Sequence, residues 1–262
     1  MTSTRPPVVD GSFYPADARQ LRTLIASFLG AVPAVSPPCP KAIIVPHAGY
    51  IYSGSIAATA YARVAYGRDT IRRVVLLGPA HRLAFHGLAL SSADSFTTPL
   101  GSVPLDRPSN IALLSLPGVQ ILDKAHALEH SLEVQLPFLQ EVLSDFSLVP
   151  IVVGNAPAEA VAKVIEALWG GPETLVVISS DLSHYEDYAT AKQHDAATSQ
   201  AIEKLNPEAI DYHDACGRLP MNGLLLVAKK LGLTVTPYDL RNSGDTAGDR
   251  DRVVGYGAYG FV

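Results

Sequence analysis

The chain has 262 residues, of which 48% are hydrophobic and 17% charged, with a formal net charge of -5. That length and apolar content supply a sizeable core and exclude a disordered chain. The acidic balance, with no dense Lys/Arg cluster, excludes a nucleic-acid or anionic-membrane surface.

The opening Met1-Thr2-Ser3-Thr4-Arg5-Pro6-Pro7 lacks the apolar core of a signal peptide, and no apolar run approaches the roughly 20 residues of a membrane span. A soluble cytoplasmic protein is the expectation. Asp17 is placed to cap a helix reaching Leu29, with Leu21, Leu24, Ile25 and Phe28 at helical spacing. The Pro-rich stretch from Val32 to Pro40 reads as a loop, and Cys39 within it as exposed and incidental. Strand Ala42–Val45, a glycine-bearing loop over Ala48–Gly54, a helix from about Ser55 to Val64 and strand Arg73–Gly78 then form a β-loop-α-β unit.

From Gly87 to Pro108 short strand-like pieces alternate with Pro and Gly turns. Ser131–Leu143 reads as a helix interrupted near Pro137, followed by strand Leu148–Val153, helix Pro157–Trp169, strand Thr174–Ser180 and helix Asp187–Leu205. Helix Leu219–Leu231 and strands Thr234–Asn242 and Val253–Val262 close the chain, the last with the Gly/Tyr alternation of an edge or bulged strand. No linker divides these elements. The expectation is one α/β domain over residues 1–262, with a mostly parallel or mixed sheet flanked by helices.

Three apolar, strand-like runs end in a histidine: Ala42–Val45 at His47, Val74–Leu77 at His81, and Leu175–Ser180 at His184. Open α/β sheets place their sites just past the carboxyl ends of such strands. Three histidines at one sheet edge make a candidate metal or acid–base centre. A strand-end histidine that merely caps a nearby carbonyl is the rival reading for each. Asp181 shares the loop of His184 and can orient a histidine, or else cap the following turn. Gly49 is read as the residue that lets the backbone turn closely around His47.

A serine-nucleophile triad at Ser179-Ser180 is weak, because no Gly-x-Ser-x-Gly elbow is present. His126-Ala127-Leu128-Glu129-His130 spells the inverted zinc-protease pattern, but no downstream acidic ligand supports it. Cys216, in Ala215-Cys216-Gly217-Arg218-Leu219-Pro220, stands where a helix begins. A thiol there is expected to have a lowered pKa, unless it is simply a small core residue. Two histidines and this cysteine would leave coordination positions open, as reactive metal sites do.

Pro46-His47-Ala48-Gly49-Tyr50 with Ser53-Gly54, Gly78-Pro79-Ala80-His81, Glu129-His130-Ser131-Leu132-Glu133, Ser179–His184 and Cys216–Pro220 together resemble the Memo family. Its microbial members are called AmmeMemoRadiSam system protein B. Gly11–Pro15 and Ser243-Gly244-Asp245 extend the resemblance over nearly the whole chain. It implies a fold like the LigB-type class III extradiol dioxygenases, in which two histidines and a glutamate hold non-haem iron and another histidine is the acid/base.

Carried over residue by residue, the resemblance makes His47, His81 and Cys216 the metal ligands. His184 is the acid/base, with Asp181 beside it, and His130 is a site histidine. Phe13, Tyr50 and Tyr52 line the pocket with His184. The implied cofactor is one transition-metal ion, iron or copper, with zinc as the third choice. A thiolate in place of a carboxylate softens the site and is easily oxidised, so ring-opening activity is not inherited from the fold. A redox or oxygen-dependent role is the first reading. A peptide- or small-anion-binding module and a metal-dependent hydrolase are its rivals. The animal relatives resemble copper- or iron-binding redox proteins that also bind phosphotyrosine peptides. The implied partners are a small molecule or peptide and components of a radical-SAM system, with no nucleic acid and no membrane.

Overall fold

The computed structural model describes residues 3–262; Met1 and Thr2, which open the segment read above as carrying no targeting signal, lie outside the described residues. The short β1 (Thr4–Arg5) precedes α1 (Ala18–Ala31), which Asp17 opens by accepting the Gln20 amide. That cap contributes about 1 kcal/mol. β2 (Ala42–Val45) leads into α2 (Tyr50–Val64), and β3 (Arg73–Pro79) follows. Next come β4 (Leu88–Leu90), β5 (Ser95–Thr98), β6 (Gly101–Pro104), α3 (Arg107–Leu113), β7 (Val119–Ile121) and α4 (Asp123–Ala127). A single tight turn at Glu133–Gln135 runs into α5 (Leu136–Val142), then β8 (Ser147–Val153), α6 (Ala158–Leu168) and β9 (Thr174–Ser179). β10 (His184–Glu186), α7 (Tyr188–Glu203), α8 (Arg218–Leu231), β11 (Val235–Asn242) and β12 (Val253–Phe261) complete the chain.

Nine strands form one sheet in the order β10-β12-β2-β9-β3-β8-β4-β7, with β11 also paired to β12. The central strands β2, β9, β3 and β8 run parallel, and β12 and β4 flank them antiparallel. The sheet is therefore mixed. Helices cover both faces, which is why the central strands are continuous apolar runs rather than alternating ones. On one face Ile43, Val45, Val74 and Leu76 pack with Ile25, Tyr61 and Phe138 from α1, α2 and α5. On the other, Ile44, Val75, Leu77 and Ile178 pack with Val161, Ile165 and Leu224 from α6 and α8. Each such side chain contributes about 1.5–3 kcal/mol of burial.

Because β9 lies between β2 and β3, the three segments that follow their carboxyl ends emerge side by side. Three details differ from the sequence expectation. α2 begins at Tyr50, so most of the expected glycine-bearing loop is helix. Pro137 lies in the first turn of α5, where no helical N–H is needed, and so it starts that helix instead of interrupting it. β12 is internal to the sheet, and the register shift opposite it falls between Pro237 and Asp239 of β11.

Candidate metal centre

His47 follows β2, His81 follows β3, and Cys216 sits just before α8. One donor atom from each lies within 4.8 Å of the others, and the Cys216 sulfur is 3.3 Å from His47 Nε2. The two imidazole rings meet edge to face with centroids 5.2 Å apart. Gly217 permits this approach: a Cβ there would come within 2.6 Å of the Ser180 side chain and 2.8 Å of the Ser179 carbonyl. Its amide instead donates to Ser180 Oγ at 2.9 Å. Gly49 has an ordinary helical-side φ of -55° and only van der Waals neighbours, so the close turn assigned to it belongs to Gly217.

The tautomers of both histidines follow from their partners. The Ser179 hydroxyl donates to the Ser131 carbonyl (2.6 Å) and accepts from Gln135 Nε2 (2.8 Å). Gln135 is oriented in turn by donating to the Pro46 carbonyl (2.9 Å). One lone pair of Ser179 Oγ remains, and His47 Nδ1–H donates to it at 2.9 Å. His81 Nδ1–H donates to Glu129 at 2.9 Å, and the His81 and Ser131 amides donate to the same carboxylate at 2.6 and 2.9 Å. In its neutral form each ring then carries its lone pair on Nε2, available for a ligand role. This is the arrangement by which an outer acceptor fixes a metal-binding imidazole.

Burial, with the neighbouring His81 ring, pushes His47 down to about 3, so it is neutral at pH 7. His130, buried beside His47, falls to about 4. Burial alone would push Glu129 up; the hydrogen bonds from His81 and Ser131 outweigh it and hold the carboxyl at about 2. Burial raises Asp181 despite the nearby His184, and its Oδ1 accepts the His47 amide at 2.7 Å. Cys216 departs from the sequence expectation. Burial and the Asp181 charge push its thiol up, outweighing the backbone amides and the helix start that favour a thiolate.

These groups form the floor of a cavity of about 900 Å³, with Phe13, Tyr52, His130, Asp181 and His184 in its walls. Phe13 stands edge-on to His130, with centroids 4.9 Å apart. His184 donates Nδ1–H to the Leu182 carbonyl at 2.8 Å and is exposed. Its neighbour Tyr185 has φ of 65°, a left-handed conformation that costs a non-glycine residue about 1–3 kcal/mol. Tyr212 and Arg252, from loops without periodicity in the sequence, complete the mouth, while Tyr256 of β12 lines the cavity from a buried position.

Tyr50 is a correction. As the first residue of α2 it turns into the core between Tyr14 and Phe138, its hydroxyl donating to the Val134 carbonyl at 2.8 Å. Tyr52, two residues on, faces the other side of the helix and reaches the pocket. The zinc-protease pattern does not assemble. α4 ends at Ala127, and His126 is buried with Nε2 bonded to the Ala89 carbonyl. Ser179 is fully buried with its hydroxyl committed, which rules out the nucleophile reading. Cys39 is half-buried near the Val64 carbonyl, not exposed as expected, and takes no part in the cavity lining.

Glu129, Ser131 and Gln135 carry roles that the sequence reading did not assign. Ser131 Oγ donates to the Pro79 carbonyl at 2.9 Å, so with Gln135 and Ser179 this one segment ties the ends of β2, β3 and β9 together. The signal was available: Glu129, Ser131, Glu133 and Gln135 are polar residues at every second position, alternating with His130, Leu132 and Val134.

A model of the family described as "Memo-like protein" matches residues 5–259. The chain is 40% identical to a MEMO1 family protein of Aquifex aeolicus, over 96% of this chain and 97% of the other. It is 39% identical to one from Ignicoccus hospitalis, over 98% of each. Among solved structures, an uncharacterized protein of Escherichia coli K12 superposes with a TM-score of 0.55 at 14% identity, covering 82% of this chain and 98% of that one. That likeness is one of fold.

Proposed function

This chain belongs to the Memo family, and we propose that its pocket is a transition-metal centre with a redox or oxygen-dependent role, holding iron or copper through His47, His81 and Cys216. The observation that carries this reading is the pair of imidazoles whose Nδ1 atoms are engaged by Ser179 and Glu129 while a donor atom of each lies within 4.8 Å of the other and of the Cys216 sulfur. Two neutral nitrogens and one soft sulfur fit Cu(I) or thiolate-ligated iron better than a hard cation. Three protein donors leave positions open toward the cavity. When bound, such a metal supplies electron transfer and polarises a ligand.

The remaining residues have roles that follow from their positions. Ser179 and Glu129 keep the two rings from rotating. Phe13, Tyr52 and Tyr256 exclude water along an apolar wall. His184, Asp181 and His130 face a bound ligand and exchange protons with it. A binding module using the same cavity is the second reading, favoured by the exposed Tyr185 and Tyr212 at the mouth and by Arg252 stacked on Tyr185 at 5.0 Å.

The test is to load metal-free protein anaerobically with Fe(II), Cu(I) or Zn(II) and follow oxygen uptake in the presence of a reductant. The expected result is uptake by the iron or copper form and none by the zinc form. Ester hydrolysis by the zinc form alone would move the assignment to a hydrolase, and failure to retain any metal would leave the binding module.

A further inference from the structure

His194, on α7, lies outside the cavity lining, yet both of its ring nitrogens meet carboxylates. Nδ1 is 3.0 Å from Glu186 and Nε2 is 2.6 Å from Asp214. An ionised carboxylate only accepts, so both ring nitrogens must donate and the ring is an imidazolium. Burial would lower its pKa; the Asp214 and Glu186 hydrogen bonds overcome this and raise it.

The two carboxylates come from different segments, each adjoining residues that line the pocket. Glu186 ends β10, two residues after His184 and one after the left-handed Tyr185. Asp214 precedes Cys216 by two residues, and its other oxygen accepts the Asp211 amide at 2.5 Å. The segment it holds, 211–217, belongs to no helix or strand, and Tyr212 and His213 of that segment line the cavity while exposed to solvent. Its other tethers include the Cys216 amide on the Asp181 carbonyl (3.3 Å), the Asp181 amide on the Cys216 sulfur (3.3 Å) and the Gly217 amide on Ser180 Oγ.

We propose that His194 is a positioning residue for the pocket: its ring, held between Glu186 and Asp214, ties the strand carrying His184 to the segment carrying Cys216 and so fixes the thiol against His47. The proposal rests on the reading of Cys216 as a metal ligand. A glutamine at this position has one donor end and one acceptor end and cannot serve both carboxylates. An arginine donates to two carboxylates at once.

The experiment combines amide hydrogen exchange of the metal-free full chain with Cu(I) titration against a chelator, for wild type, His194→Gln, His194→Arg and Cys216→Ser. The expected result is that His194→Gln speeds exchange in residues 184–186 and 211–217 together and weakens Cu(I) binding about tenfold, and that His194→Arg recovers both. A change in only one segment, or in neither, overturns the clasp. Faster exchange in both segments with unchanged Cu(I) affinity overturns its positioning role. If Cys216→Ser binds Cu(I) as tightly as wild type, the metal assignment fails, while the exchange data still judge the clasp. Should His194→Gln not fold, Asp214→Asn removes one of the two bonds and is read the same way.

Discussion

Glu129 and Glu133 are separated by three residues, and neither reaches solvent. Glu133 accepts from the Arg5 guanidinium (2.5 Å), the Val8 and Val9 amides (3.0 Å each) and the Tyr14 hydroxyl (2.7 Å). It anchors the N-terminal segment whose Phe13 forms a pocket wall, and its charge is cancelled by a cation. Among the described residues, no Lys or Arg pairs with the Glu129 carboxylate. Its charge is met by the two amides and the His81 ring, and it leans on an imidazole that faces the cavity. A buried carboxylate paired with a guanidinium holds the fold; one whose partner is an imidazole facing the cavity orients that imidazole.

The largest effect expected from this contrast is at Glu133. Removing it strands the Arg5 charge in the interior, so Glu133→Ala should cost about 3–5 kcal/mol. Thermal unfolding would then fall by about 10 °C, with metal bound per folded molecule unchanged. Metal loss without loss of stability would erase the distinction between the two glutamates. Glu129→Gln should do the reverse. Chelator competition is expected to register a metal affinity about 10–100-fold weaker, with a smaller thermal shift than Glu133→Ala gives.

Acid titration sharpens the same contrast. A carboxyl held at about 2, against an ordinary 4.5, gives stability that is complete above pH 4.5 and is lost as pH falls toward 2. His47 at about 3 and His126 and His130 at about 4 are neutral when folded, so they too cost stability as pH drops below 6.5. Unfolding followed against pH should show a decline that begins near 6.5 and continues below 4.5, with the lower part flattened in Glu129→Gln. An unaltered curve in that variant would mean that Glu129 is not the group held low. Smallest in stability is His184→Ala. As an exposed residue it should shift stability by no more than about 0.5 kcal/mol, keep the metal and lose ligand-dependent turnover. If it strips metal as completely as His47→Ala, its acid/base role is wrong.

The parallel centre of the sheet was legible because strands buried on both faces are written as unbroken Val/Ile/Leu runs, and their ends carried His47, His81 and Asp181 into view. Tyr50 was misplaced because the first turn of α2 reads as loop: Gly49 and Gly54 mask a helix that the packing of Tyr50 and Ile56 stabilises. The supports of the two imidazoles were hidden for another reason. Ser179, Gln135 and Glu129 act across 44–132 residues of chain, and no local spacing records a contact made by topology. Cys216 was placed correctly near a helix start but given the wrong electrostatics, since burial outweighs a helix terminus once the sulfur is packed against the Ser180–Asp181 backbone.

The most direct test of the proposed centre compares the two cysteines. Cu(I) titration against a chelator, in wild type, Cys216→Ser and Cys39→Ser, asks whether the soft donor lies where His47 and His81 converge. The account predicts one tight site in wild type and in Cys39→Ser, and a loss of at least about 100-fold in Cys216→Ser. Equal affinity in the two serine variants would contradict it.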